Sequence, residues 1–220
     1  MIGFYNYTVI LTYMALGFGG AGIYFSFSNN EHGTFIAVLC LLTAGLCDLF
    51  DGKVARTKKD RTQDEKNFGI QIDSLSDIVC FGVLPACIGY SVCRPIIFEH
   101  SWTLAFIIPL LTLYILAGLI RLAYFNVREL NIFYGTTEDN EKVYYGLPIT
   151  MSSLIVPAFY FFDKLLKDKF YILYLCLIAV IGVCFILKIK LPKPKKIAVI
   201  SMALIGLALC ILMIVFHFAL

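Results

Sequence analysis

The sequence predicts an all-α, polytopic membrane bundle of about seven spans (six to eight), and two observations predict it. The first is composition. Sixty per cent of the 220 residues are hydrophobic and only 15% are charged, a balance far from that of a soluble domain of this size. The second is how the hydrophobicity is distributed. A transmembrane helix needs roughly 20 mostly apolar residues, and runs of that kind recur near 5–27, 34–54, 69–91, 102–125, 147–163, 171–187 and 197–218. They leave nothing over for a soluble part, so a single integral membrane domain over 1–220 is expected. No internal repeat or low-complexity tract interrupts them, and no nucleic-acid partner is expected.

The first run is longer than the apolar stretch of a removable signal peptide and lacks a basic start, so it is expected to persist as the first span. The fifth and sixth runs are the shortest. Basic residues orient the set. With the N-terminus inside, the segments on the inner side hold Lys53, Arg56, Lys58, Lys59, Arg61, Lys66, Arg121, Arg128, Lys142, Lys188, Lys190, Lys193, Lys195 and Lys196. The outer segments hold only Arg94, Lys164, Lys167 and Lys169. Fourteen against four fits the positive-inside rule. It predicts a cytoplasmic N-terminus, an odd number of spans and an external C-terminus. The eight cysteines lie in or beside apolar runs without a Cys-x-x-Cys pair, and His32, His100 and His217 are far apart in sequence. Small buried hydrophobes are therefore a better account of the cysteines than a zinc site.

The second and third runs break the apolar rule in the same neighbourhood. The second ends CDLFDGKVAR over 47–56, and the third begins GIQIDSLSD over 69–77. A carboxylate at hydrocarbon depth costs a few kcal/mol, on the order of 2.5–3.5 by insertion scales. Asp48, Asp51, Gly52, Ala55 and Arg56 fall at i, i+3, i+4, i+7 and i+8, which is one helical stripe. Gly69, Asp73 and Asp77 fall at i, i+4 and i+8, a second stripe. Joined by a short polar loop, the two helices run antiparallel, and facing stripes place four carboxylates around one polar cavity. Arg56 is the only basic residue within either stripe. Oxygen-only ligands favour hard divalent cations, Mg2+ or Mn2+, over zinc, and a bridged pair of ions could hold a pyrophosphate. The small Gly52, Ala55 and Gly69 leave room for a bulky ligand. A lone Asp near a helix end is commonly a cap; four on two matching faces resist that account.

These residues resemble the signature of the CDP-alcohol phosphatidyltransferase family, Asp-x-x-Asp-Gly-x-x-Ala-Arg, a spacer, then Gly-x-x-x-Asp-x-x-x-Asp. Asp48, Asp51, Gly52, Ala55, Arg56, Gly69, Asp73 and Asp77 fill every fixed position. The spacer departs from the family's usual eight residues, because 57–68 holds twelve. Four extra residues are about one helical turn, so the loop can lengthen without rotating the stripes. Ile72 to Ala86, Arg121 to Asn126 and Gly146-Leu147-Pro148 resemble the serine-specific branch that makes phosphatidylserine, with Tyr124 where that branch commonly has Arg. The resemblance covers residues 40–150.

The resemblance implies transfer of a phosphatidyl group from CDP-diacylglycerol to L-serine, releasing CMP. It implies Asp48, Asp51, Asp73 and Asp77 as ligands of two divalent ions, with Asp77 also the general base. It implies that Gly52, Ala55, Arg56 and Gly69 line the CDP-lipid pocket, and that the enzyme is a homodimer in the cell membrane with its site facing the cytoplasm. For serine, Arg121 suits a carboxylate in fork geometry and Asn126 could assist; otherwise Arg121 snorkels and Asn126 caps the end of the fourth span. The basic run 188–196 is a topology anchor, with anionic lipid attraction as the sharper alternative. Glycerol 3-phosphate or inositol phosphate are the rival acceptors. A membrane prenyltransferase lacks the Gly-x-x-Ala-Arg element, and a cation transporter commonly has repeats that are missing here.

Overall fold

The computed structural model describes residues 3–55, 57, 58, 60, 62–133, 143–192 and 196–219. Each of the seven apolar runs is helical. The helices are α1 (Ile10–Phe27), α2 (Gly33–Ala55), α3 (Gln63–Asp77), α4 (Leu84–Glu99), α5 (Leu104–Phe133), α6 (Ser152–Tyr160), the short α7 (Asp163–Leu166), α8 (Phe170–Ile186) and α9 (Lys196–Ala219). Among the described residues, five helical stretches are long and apolar enough to cross a membrane; Ile149–Tyr160 and Phe170–Ile186 are apolar but shorter. The chain is a membrane-embedded helical bundle.

Two boundaries differ from expectation. The spacer 57–68 is not all loop, because α3 begins at Gln63. Thr62 caps it: its Oγ1 accepts from the Glu65 N–H, and the Glu65 carboxylate accepts from the Thr62 N–H, a reciprocal capping box. The extra residues of the spacer thus extend the helix instead of loosening the connection. The fourth run likewise outlasts its apolar part, since α5 continues to Phe133. Arg121 and Asn126 therefore lie inside a helix, and neither marks its end.

Short contacts sort the chain into two ends. At one end, Asn6 Nδ2 donates to Glu65 Oε1 at 2.6 Å, and Tyr7 Oη lies 3.0 Å from Thr57 Oγ1. There too β1 (Val143–Tyr145), before α6, pairs antiparallel with β2 (Lys190–Pro192), after α8. Gly146 follows with φ +75°, its N–H donating to Ile189 O at 2.9 Å. A Cβ there would stand 2.8 Å from Phe185 O, so both the turn and the contact require glycine. At the opposite end, Arg94 donates to the carbonyls of Ser26 and Ser28, completing the end of α1. His217 Nε2 lies 2.8 Å from His32 Nδ1, and Lys164 Nζ donates to Phe216 O and His217 O. Sequence distance misled on this pair, since 185 positions separate side chains that touch.

Between α3 and α4 the helix does not break but widens into a π-helical turn over Ile78–Val83. Pro85 takes one donor out of its ladder. In regular helix the Phe81 carbonyl would accept from residue 85, and proline has no N–H to give. Tyr114 Oη from α5 donates to Phe81 O at 2.8 Å, and Ser152 Oγ from α6 lies 3.3 Å from the same carbonyl, its one proton shared with Ile149 O at 2.8 Å. An unmet backbone carbonyl in a membrane interior costs several kcal/mol, so this junction locks α5 and α6 to the helix carrying Asp73 and Asp77. The core surrounds it: Phe81, Leu84, Ile88, Tyr114, Ile149, Tyr174 and Ile178 are each at most 2% exposed.

Candidate active site

The site forms where the end of α2 meets α3. Asp48 and Asp51 sit one turn apart on α2, and Asp73 and Asp77 one turn apart on α3. Asp48, Asp73 and Asp77 each offer a carboxylate oxygen, and the three oxygens lie within 4.8 Å of one another. Among the described residues no other set of three His, Cys, Asp or Glu side chains is close enough to share an ion. Asp51 is not one of the three, although it lies one turn from Asp48 on the same stripe of α2. The carboxylates of the two helices thus converge across their interface, and among the described residues no basic side chain forms an ion pair with any of them. Oxygen-only ligands at this spacing, with like charges facing like, fit hard divalent cations.

A third helix contributes what the sequence reading missed. On α1, Thr12 Oγ1 donates to Asp51 Oδ2 at 3.1 Å. Both groups are nearly inaccessible, at 4% and 7% exposure. The Thr12 carbonyl in turn accepts from Ser76 Oγ at 3.3 Å, and the Ala15 carbonyl from Cys80 Sγ at 3.2 Å. Close approach is possible because α1 presents small residues: a Cβ on Gly19 would stand 2.7 Å from Cys80 Sγ. The signal was in the sequence. Thr8, Thr12, Ala15, Gly19, Gly22 and Ser26 are buried at helical spacing, a small and polar stripe through an otherwise bulky span.

The other expected residues divide. Gly52 is exposed, and a Cβ there would meet nothing within 4 Å, which leaves the space a ligand needs. Gly69 is half-buried on α3, between Glu65 and Asp73. Ala55 is the last residue of α2, and Arg56 lies outside the described residues. Asn126 on α5 accepts a hydrogen bond from Ser74 Oγ at 2.8 Å, which places it beside the Asp73 turn. Arg121, half-buried on the same helix, has its guanidinium carbon 5.9 Å from the Phe125 ring centre and no hydrogen bond to the four aspartates. From the membrane side, a crevice of about 30 Å3 between α2, α6 and α9 reaches Asp48 past Leu42, Leu49, Ser153 and Met202. All eight cysteines are free, with Cys80 and Cys93 buried.

The match to known proteins covers this whole constellation. The family model for CDP-alcohol phosphatidyltransferase matches residues 5–183, from the lead-in to α1 through α8. The chain belongs to the CDP-alcohol phosphatidyltransferase family. Its activity is that of an enzyme of phospholipid synthesis, transfer from a CDP-alcohol. It is similar to the CDP-diacylglycerol–serine O-phosphatidyltransferase of Helicobacter pylori (strain ATCC 700392 / 26695), 28% identical over 198 residues, 88% of this chain and 74% of that one. The enzyme of the same name from Bacillus subtilis (strain 168) is 31% identical over 170 residues, 75% of this chain and 79% of its own. The archaetidylserine synthase of Methanothermobacter thermautotrophicus is 34% identical over 124 residues, 56% of this chain and 46% of its own.

Proposed function

We propose that the enzyme transfers the phosphatidyl group of CDP-diacylglycerol to the hydroxyl of L-serine, giving phosphatidylserine and CMP. The observation that carries this is the meeting of Asp48, Asp73 and Asp77 at one point, in a chain whose relatives above are named for serine as acceptor. Asp77 is the general base. It takes the serine hydroxyl proton as the oxygen forms its bond to the lipid-side phosphorus and the bond from that phosphorus to the CMP oxygen breaks. Asp48, Asp51 and Asp73, with Asp77, hold two divalent ions, Mg2+ or Mn2+. The chemistry supplied by metal bound there is neutralisation of charge on the pyrophosphate and on the departing CMP.

The remaining residues bind and orient. Thr12 fixes the rotamer of Asp51, and Ser76 holds α3 to the α1 backbone. Gly52, Ala55, Arg56 and Gly69 line the nucleotide pocket, and open space over Gly52 supports that role. Arg121 takes the serine carboxylate as a bidentate partner, and Asn126, steadied by Ser74, supports the acceptor side. The enzyme sits in the cell membrane as a homodimer with this site on the cytoplasmic face.

The test is CMP release by purified protein in detergent, with CDP-diacylglycerol, Mn2+ or Mg2+ and a panel of acceptors. Release that depends on L-serine and yields phosphatidylserine establishes the reaction. Release only with glycerol 3-phosphate or inositol phosphate overturns the acceptor, and no release from folded protein overturns the activity.

A further inference from the structure

The described residues of the twelve-residue spacer between the two halves of the aspartate motif form a cluster centred on Glu65. Its Oε1 accepts from Asn6 Nδ2 at 2.6 Å and from Lys58 Nζ at 3.0 Å, while Oε2 accepts from the Thr62 N–H at 3.0 Å. Two flanking contacts run parallel to it. Phe4 packs edge-on against Phe68 at 5.6 Å, and Tyr7 Oη meets Thr57 Oγ1 at 3.0 Å. Glu65 therefore ties together three pieces of chain: the lead-in to α1, the connection leaving α2, and the first turn of α3.

Each of those helices bears on the aspartates. α2 carries Asp48 and Asp51, α3 carries Asp73 and Asp77, and α1 carries the Thr12 that holds Asp51. Two helix ends lined with like charges repel each other until a cation joins them. A clamp at their base opposes that separation before any ion arrives, so less ordering remains to be done on binding.

We infer that Glu65 is a positioning residue, which clamps the ends of α1, α2 and α3 together and so pre-organises the aspartates for divalent metal. Glu65 lies two turns, about 12 Å of helix rise, from Asp73 and acts through the backbone rather than on the ion. The inference rests on the assignment of metal to the four aspartates.

The test is Mn2+ binding to the purified protein in detergent without substrate, followed by the electron paramagnetic resonance signal of the free ion. Glu65→Ala raises the half-saturating Mn2+ concentration about fivefold or more. Glu65→Gln, which can still accept from the Thr62 N–H, falls between it and the native protein, and Asn6→Ala shifts in the same direction. Excess Mn2+ restores turnover to Glu65→Ala, which a loss of folded protein would not allow. The control is Arg94→Ala, which removes the donor to Ser26 and Ser28 at the opposite end; it lowers stability and leaves Mn2+ binding at the native value. Native affinity in folded Glu65→Ala overturns the inference alone, as does an equal shift in Glu65→Ala and Arg94→Ala. No Mn2+ uptake by the native protein overturns the metal assignment, and the inference with it.

Discussion

A carboxylate's role in this site follows from where its neighbours leave it. Asp77 belongs to the triple of converging oxygens, and the mechanism proposed above asks it to act both as ligand and as base. Replacing it by Asn keeps the shape and removes the proton acceptor. Positioned acid–base groups contribute roughly 10²–10⁴-fold. Asp77→Asn is therefore expected to lose turnover by about that factor while remaining folded and binding CDP-lipid. Turnover and CDP-lipid binding measured side by side decide it, and native turnover would remove Asp77 from the mechanism. Arg121→Ala is a second case, in which the serine KM is expected to rise more than the CDP-lipid KM. Equal changes would cancel its role toward the serine carboxylate. The aspartates were legible in the sequence because their order is local: i, i+3 and i+4 spacings fix a face before any tertiary contact forms. The small and polar stripe that includes Thr12 was legible in the same way, but its contact with Asp51 was not, because 39 positions separate the two and only packing of α1 against α2 brings them together.

At the scale of the element, the π turn over Ile78–Val83 begins directly after Asp77, and its irregularity is met by side chains from elsewhere. Tyr114 donates to Phe81 O, while the single proton of the Ser152 hydroxyl is shared between Phe81 O and the nearer Ile149 O. That proton can turn to Phe81 O when the tyrosine hydroxyl is gone, so Tyr114→Phe is expected to cost only about 1 kcal/mol. Removing both leaves a buried acceptor unmet, and Tyr114→Phe with Ser152→Ala should cost about 1–3 kcal/mol beyond the sum of the singles. Unfolding free energies in mixed micelles give the comparison, and additive losses would mean that Phe81 O is satisfied by another route. The sequence displayed the helices around this junction but not the junction. Hydrophobic periodicity marks which residues are apolar, whereas a widened turn depends on donors 33 and 71 residues away. The start of α3 was misjudged for a similar reason. Its first turn is polar, and what makes it helical is the Thr62–Glu65 cap rather than an apolar face.

For the whole molecule, the decisive property is that the two ends differ. The aspartates, the Glu65 cluster and the paired strands share one end, reached by Asn6 and Tyr7 near the N-terminus. His217 near the C-terminus touches His32 between α1 and α2, at the other end. Asn6 and His217 thus lie at opposite ends of the bundle, the arrangement expected for an odd number of crossings. Of the basic residues assigned inward by sequence, Lys58, Lys66 and Lys190 are among the described residues at the first of these ends, and the proposed use of water-soluble serine asks for a site open to the cytosol. Reporter fusions test the arrangement in cells, with an enzyme active only inside placed on one terminus and one active only outside on the other. The expected outcome is an internal N-terminus and an external C-terminus. Charge carries that orientation, so moving basic residues is a sharper test than locating termini. Replacing Lys188, Lys190, Lys193, Lys195 and Lys196 by Gln removes five of the inward charges, and a mixed population of C-terminal fusions should follow, since no other cluster anchors the last two helices. A uniformly external C-terminus in that variant would assign the anchoring to the packing of α9, through Met213 and the His217–His32 contact, instead of to the positive-inside rule.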